Sequence, residues 1–215
     1  MLTGAYPQRS GIISNEWVDP QTRQPVYNTM DPAYHYIGHK TAALAGTSPR
    51  MLLAETNETV HLSVLSGDEV IYIDKLDSPE PVRAYSVIGG RAPAYCVATG
   101  KALLAWREQP AVQLMTVRPL QVYTPTTLAD TSALAMELDR VRQQGYAVNR
   151  GEWRASVWGI AAPVFDERQR VVAALGISGP AERIRARGVK RLAELVVQAA
   201  RQASSRQLAL AGEAR

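Results

Sequence analysis

One stretch near the middle of the chain restricts the fold more than any other. Residues 89–105 read GGRAPAYCVATGKALLA, in which two glycines and a proline lead into small residues and then into an apolar helical run. Small residues at the start of a helix let a ligand approach the backbone closely, and the unpaired N–H groups of the first turn attract anions. The sequence therefore predicts a tight turn, a packed helix and a ligand-accessible backbone at one place.

Six segments have the β-branched and aromatic content of strands, three on each side of this stretch. They are residues 59–65, 70–74, 82–88, 146–148, 157–165 and 171–178. The first two flank a Ser-Gly-Asp-Glu turn, which is typical of a β-hairpin. Together these segments predict two blocks of strands, one before and one after the central helix.

Helices are predicted outside these strands. Residues 49–56 and 110–115 are short helical segments, Asp130 is a cap residue for a longer helix that ends at Gly145, and residues 189–208 are amphipathic. Strands, helices, strands and a final helix are the order of an α+β domain whose helices pack on a mainly antiparallel sheet.

The composition restricts the class of protein further. Hydrophobic residues make up 46% and charged residues 20% of the 215, which suits a globular domain, and the net charge of +4 permits a nucleic-acid surface without requiring one. No apolar run approaches the roughly 20 residues that span a bilayer, and the first residues predict no signal peptide. Cys96 is the single cysteine. It predicts a cytoplasmic setting and a small buried side chain rather than a thiol sensor.

A phosphate-loop interpretation of the central stretch fails on two residues. Such a loop would need glycine where the chain has Tyr95 and Ser or Thr where it has Ala102. Lys101 is therefore predicted to be a solvated charge on a helix.

Catalytic and metal-binding patterns are also incomplete. Ser178 sits in a Gly-Ile-Ser-Gly-Pro sequence, in which Pro180 replaces the last glycine of a nucleophile elbow, and no sequence pattern places a histidine beside this serine. His35 and His39 have helical metal-ligand spacing but no accompanying carboxylate or cysteine. No catalytic residue, metal or cofactor is predicted.

Five short motifs, in this order, resemble the effector-binding domain of IclR-type transcriptional regulators. They are TVHLSVLSGDEV at 59–70, ATGKALLA at 98–105, GYAV at 145–148, IAAPVFD at 160–166 and AALGISGP at 173–180. The resemblance covers the chain from about residue 51 to the C-terminal helix. It implies a GAF-like α+β fold, an about six-stranded antiparallel sheet flanked by helices, with an effector pocket in one face.

The resemblance also implies a function. Members bind small organic acids or aromatic metabolites and thereby change their affinity for operator DNA, which they bind as homodimers or tetramers. The expected partners are therefore a small-molecule effector, operator DNA and further copies of the chain, with no membrane. The alternative is a stand-alone small-molecule-binding protein or an enzyme on the same fold, because a fold does not determine a function.

Full-length members begin with a winged helix-turn-helix. Here residues 1–48 are predicted to be a remnant of the wing, which residues 17–27 resemble, and a linker helix, and residues 49–215 are predicted to be the effector-binding domain. We expect either an N-terminally shortened regulator or a stand-alone sensor.

Carried over by position, the resemblance places ten residues at the effector pocket. They are Tyr95, Ala98, Thr99, Gly100, Asn149, Trp153, Trp158, Gly159, Gly176 and Ser178. The backbone N–H groups of Ala98 and Thr99 are expected to hold a carboxylate.

Three of these positions depart from the pattern of members that bind small keto acids. Those members tend to carry an acid at Asn149, a cysteine at Gly159 and a serine at Gly176. The smaller side chains and the nearby aromatic residues predict a roomier, more aromatic pocket for a ring-bearing or longer acid. Packing in the core is the open alternative for Trp153 and Trp158.

A basic cluster precedes the last helix. Its members are Arg183, Arg185, Arg187, Lys190 and Arg191. We predict a solvated face or a subunit contact, with DNA phosphate as the alternative.

Overall fold

The computed structural model describes residues 47–107 and 119–212. Three sequence predictions lie outside these residues: the wing-like pair at 17–27, the histidines at 35 and 39, and the short helix at 110–115. Within the described parts, no helix has the length and apolar character that a membrane crossing requires.

The sheet is six-stranded and antiparallel throughout, as predicted. Its strands are β1 (Thr59–Ser66), β2 (Glu69–Leu76), β3 (Arg91–Pro93), β4 (Ala147–Arg150), β5 (Val157–Phe165) and β6 (Val171–Pro180). They lie in the order β3-β2-β1-β6-β5-β4. The pairing of β1 with β6 brings the two predicted blocks of strands together at the centre of one sheet.

The described residues also form five α-helices. These are α1 (Thr47–Thr56), α2 (Ala98–Leu104), α3 (Thr131–Gln144), α4 (Ala181–Arg187) and α5 (Val189–Gly212), and a 3₁₀ turn (Ala94–Cys96) precedes α2. The Asp130 side chain accepts a 2.8 Å hydrogen bond from the N–H of Ala133, and Gly145 ends α3 with φ of +81°. Both predicted ends of this helix are confirmed, because the cap oxygen and the left-handed glycine satisfy its terminal groups.

The prediction of a strand at 82–88 is wrong. Four side chains bind carbonyl groups of this segment, so these oxygens are not available to a sheet. The donors are Arg183 to Val82, Thr59 to Ala84, Arg154 to Tyr85 and Lys75 to Ser86. We call residues 82–86 the flap. The third strand is instead the short β3, which follows a turn at Gly89 with φ of +79°.

The two faces of the sheet carry side chains of different size. On one face, large aliphatic residues such as Ile160 and Val164 of β5 form a core with α1 and α5. On the other face, small residues let α2 lie close to the strands, among them Ala161 of β5 and Gly176 of β6. A Cβ added at Gly176 would lie 2.7 Å from the Cβ of Ala161, so no larger residue fits there.

The basic cluster before α5 is largely used inside the domain. Arg183 forms a bidentate ion pair with the fully buried Glu58, at 2.6 and 2.7 Å. Arg185 stacks on the ring of Trp158 at 5.1 Å, and Arg187 donates to the carbonyl of Thr56. Arg183 is therefore an internal ion-pair partner and not the solvated charge that was predicted, because a buried carboxylate needs a paired cation.

Candidate functional site

A pocket lies between the sheet, the start of α2 and the flap. The space within it is about 510 Å³, including the part open to solvent. Its lining residues are His61, Tyr72, Ala84, Tyr85, Ser86, Val97, Ala98, Thr99, Asn149, Trp153, Arg154, Val157, Gly159, Ile177 and Ser178. The pocket therefore lies beside residues 89–105, three of which line it.

The floor of the pocket is a row of small and polar residues across three strands. Asn149 of β4 pairs with Gly159 of β5, which pairs in turn with Ser178 of β6. Residues directly opposite each other in an antiparallel sheet share a face. The strand register thus presents an amide and a hydroxyl on either side of a position with no side chain.

The structure brings six of the ten predicted site residues together and places four elsewhere. The six that line the pocket are Ala98, Thr99, Asn149, Trp153, Gly159 and Ser178. The four outside its lining are Tyr95, Gly100, Trp158 and Gly176.

Tyr95 and Gly100 have structural surroundings of their own. Tyr95 is buried and its hydroxyl donates a 2.8 Å hydrogen bond to the carbonyl of Gln121. Burial raises the pKa of this phenol. At Gly100 a Cβ would lie 2.1 Å from the carbonyl oxygen of Ala94, so α2 packs against the preceding 3₁₀ turn at this point.

The two tryptophans lie in different places. Trp153 is part of the pocket lining, whereas Trp158 packs against the core beneath α5 and under the guanidinium of Arg185. Successive side chains of a strand point to opposite faces. Because Gly159 faces the pocket, its neighbour Trp158 faces the opposite core.

His61 lines the pocket although the sequence analysis did not place it there. Its Nε2 lies 2.6 Å from the hydroxyl oxygen of Ser178, and its Nδ1 lies 3.4 Å from that of Ser86. Burial lowers the pKa of His61 to about 4, helped by the charge of Lys75 and opposed by that of Asp77. The ring is neutral at pH 7, so one of the two serines donates to it and the other accepts from it.

The comparisons with known proteins agree with this architecture. The family model described as "Bacterial transcriptional regulator IclR C-terminal" matches residues 39–205. The chain belongs to the IclR family. Its described part is an IclR effector-binding domain, as the five sequence motifs predicted.

Two curated relatives come from Escherichia coli strain K12. The chain is 40% identical over 157 residues to the HTH-type transcriptional regulator KdgR, covering 73% of this chain and 60% of KdgR. It is 37% identical over 134 residues to the HTH-type transcriptional regulator XynR, covering 62% and 53%. This chain thus spans between half and two thirds of the length of the two relatives. Both are regulators, which confirms the prediction of a non-enzymatic domain.

Solved structures show the same fold. The C-terminal domain of E. coli KdgR is 36% identical with a TM-score of 0.69, covering 78% of this chain and 98% of that one. An IclR homologue complexed with 4-hydroxybenzoate, from Microbacterium hydrocarbonoxydans, is 26% identical with a TM-score of 0.74, covering 80% and 70%.

A buried ion network lies behind the pocket of this IclR domain. Lys101 is fully buried, and its Nζ contacts Glu152 Oε1 at 2.8 Å, Glu137 Oε1 at 3.2 Å and the carbonyl of Val148 at 2.6 Å. The prediction of a solvated lysine is wrong, because α2 presents this side chain to the interior, where two carboxylates compensate its charge.

Glu152 connects this network to the pocket. Its N–H donates a 2.8 Å hydrogen bond to Oδ1 of Asn149. The amide oxygen of Asn149 is thereby used within the domain, and its NH₂ group is the part left to meet a ligand. Burial raises the pKa of Glu152, opposed by the charge and hydrogen bond of Lys101. The network therefore holds the orientation of a pocket residue.

Two smaller predictions concern thiol and metal chemistry. Cys96 is a buried free cysteine, as predicted, and burial raises the pKa of its thiol to about 12. Among residues 47–107 and 119–212, no group of three or more His, Cys, Asp and Glu side chains could hold a metal ion.

We predict that the neutral, buried His61 makes the IclR domain less stable in acid. The unfolded chain takes up a proton as the pH falls through about 6.5, whereas the folded chain resists until about 4. The free energy of unfolding should therefore fall by about 2–3 kcal/mol more between pH 7.5 and 4.5 in the native chain than in a His61→Gln variant. Urea unfolding at both pH values measures this difference.

Comparing the native chain with the His61→Gln variant cancels the contribution of the other titrating groups to the pH dependence. Glu152, whose raised pKa acts in the opposite direction, is present in both chains. An identical pH dependence in the native and His61→Gln chains would contradict the neutral state of this ring.

Proposed function

We propose that the pocket binds a carboxylic acid that carries a ring or a longer chain, and that this binding controls oligomeric state and operator DNA binding in the whole regulator. The observation that carries the proposal is the pocket itself, in which hydrogen-bonding groups and aromatic walls meet around the empty position at Gly159.

Several neutral groups in the pocket can bind the oxygen atoms of an acid. The side chains of Thr99, Asn149 and Ser178 line it, and α2 begins at Ala98, so the first N–H groups of that helix have no acceptor within it. Neutral donors can hydrogen-bond to carboxylate oxygens at a small desolvation cost of their own, because no existing ion pair has to be broken.

The walls favour a ring. Tyr72 and Trp153 line the pocket, and Gly159 adds no side chain to its floor. A Cβ at Gly159 would lie 3.1 Å from the carbonyl of Ile177 and 3.6 Å from the Cβ of Ala98, so a cysteine there would narrow the gap between β5 and α2. The aromatic walls suit a planar ligand better than a two-carbon acid.

One relative supports the same class of ligand. The Microbacterium hydrocarbonoxydans homologue holds 4-hydroxybenzoate, a ring-bearing acid, and shares the fold of this chain at 26% identity. We extend only the class of ligand, an aromatic acid, to this chain.

Regulation requires that the acid bind one state of the protein more tightly than another. A ligand shifts an equilibrium only by its difference in affinity for the two states. We therefore expect a saturating acid to change the distribution of dimers and tetramers, measured by sedimentation velocity. An unchanged distribution would contradict the coupling and leave ligand binding standing.

We predict that aromatic acids bind more tightly than small keto acids. The test is a thermal-shift screen of the purified chain with benzoate, phenylacetate and 4-hydroxybenzoate against glyoxylate and pyruvate. A ligand at about 100 times its Kd adds roughly 2.7 kcal/mol, which raises the melting temperature of a domain of this size by about 5–10 °C. Glyoxylate or pyruvate binding more tightly than every aromatic acid would contradict the prediction.

A further inference from the structure

Arg154 is a pocket residue that the sequence analysis did not select. It lies at the exposed mouth, directly after Trp153, and is the one lysine or arginine among the described residues that line the pocket. His61, the other basic side chain there, is neutral at pH 7. The deeper groups of the pocket thus supply hydrogen bonds without positive charge.

The guanidinium of Arg154 forms no ion pair with the described residues, unlike those of several other arginines. Arg183 is paired with Glu58 and Arg170 with Asp166, whereas no carboxylate in the described residues lies within ion-pair distance of Arg154. Its hydrogen bond there runs from Nη1 to the flap carbonyl of Tyr85 at 3.3 Å. That bond leaves Nε and Nη2 available, and this edge of a guanidinium can bind a carboxylate through two parallel hydrogen bonds.

The guanidinium is held in place before any ligand arrives. It stacks on the ring of Trp153, with 4.5 Å between the guanidinium carbon and the ring centroid. Stacking and the bond to the flap fix both the plane and one end of the group, so less side-chain freedom is lost when a ligand binds.

The charge of Arg154 also reaches across the pocket. The phenol of Tyr72 faces the same space, and its pKa is raised to about 12 by burial while the positive charge of Arg154 opposes that rise. The positive charge of Arg154 thus favours a negative charge at this place, and it would attract a carboxylate that enters the pocket.

We propose that Arg154 is the residue that selects an anionic effector, pairing its free edge with the ligand's carboxylate while Nη1 keeps its bond to the flap. The inference rests on the proposed function and adds the charge partner of the acid. Lys101 does not compete for this role, because it lies outside the pocket lining and is already paired with Glu137 and Glu152.

Isothermal titration calorimetry tests the assignment. Benzoate, phenylacetate, 4-hydroxybenzoate, pyruvate and glyoxylate are titrated into the native chain, and the tightest of them is then compared with its neutral amide. The variants are Arg154→Gln, Arg154→Lys and the matched control Arg150→Gln, which removes an exposed arginine outside the pocket lining. Melting temperatures close to that of the native chain show that each variant is folded.

Arg154→Gln should weaken binding of the acid about 10- to 100-fold and leave the amide within about 2-fold, since hydrogen bonds to charged groups carry this difference. Arg154→Lys should keep part of the affinity, and Arg150→Gln all of it. An acid that binds Arg154→Gln as tightly as Arg150→Gln, or an equal loss for acid and amide, would overturn the assignment and leave the proposed function standing. If no acid binds the native chain, both fail.

Discussion

Replacing Lys101 by methionine is expected to lower the free energy of unfolding by about 3–5 kcal/mol. The ammonium group is fully buried and contacts Glu137 and Glu152, which are themselves nearly buried. Methionine fills the space of the aliphatic stem but leaves Glu152 without a cation and Glu137 with only the exposed Arg140, at 3.4 Å. Oε2 of Glu152 already has no hydrogen-bond partner, so the site has no spare donor.

Urea unfolding of two further chains separates charge from packing. Lys190→Met is the matched control, because Lys190 is exposed and the same substitution there should change the free energy by less than about 0.5 kcal/mol. In the double variant Lys101→Met with Glu152→Gln, the second change should recover part of the loss, since it removes one unpaired charge. A Lys101→Met chain as stable as the control would contradict the structural role of this ion network.

Replacing Gly100 by alanine should also destabilise the domain strongly, by about 3 kcal/mol or more. In an ordinary helix this change would stabilise by about 1 kcal/mol, so the expected sign is reversed. The reason is that the new Cβ would lie 2.1 Å from the oxygen and 2.4 Å from the Cα of Ala94. Both are backbone atoms of the preceding 3₁₀ turn and cannot move aside without shifting α2.

Gly67→Ala is the control for this substitution. Gly67 has a φ of +63° and no atom within 4 Å of an added Cβ, so its replacement costs only the strain of a left-handed backbone, about 1–2 kcal/mol. Thermal and urea unfolding of the two variants compare the costs. A Gly100→Ala chain at least as stable as the native one would show that α2 does not pack against this turn.

Much of the fold follows from local sequence signals. The hairpin of β1 and β2 has a clear turn, α3 has a cap residue and a terminal glycine, and the continuous apolar run of β5 marks a strand buried on both faces. Strand parity also contains information that the pocket prediction did not use. Trp158 and Gly159 are neighbours in β5, so their positions face opposite sides of the sheet, and Trp158 lies outside the pocket.

The remaining errors come from contacts between distant parts of the chain. Local spacing cannot show that His61 meets Ser178, because that contact depends on the pairing of β1 with β6. The sequence of the flap has strand propensity, but side chains from other elements bind its carbonyls instead. Lys101 has no local signal of burial, since its partners lie 36 and 51 residues away.

The most direct test of the effector-site assignment is to fill the pocket and measure whether ligand binding is lost. Ser178→Phe places a ring on the pocket floor, and Val122→Phe adds the same ring at an exposed position outside the lining. With the tightest acid of the screen, we predict a rise in melting temperature of about 5–10 °C for the native and Val122→Phe chains and none for a folded Ser178→Phe chain. A full shift in folded Ser178→Phe would contradict the assignment of this pocket as the effector site.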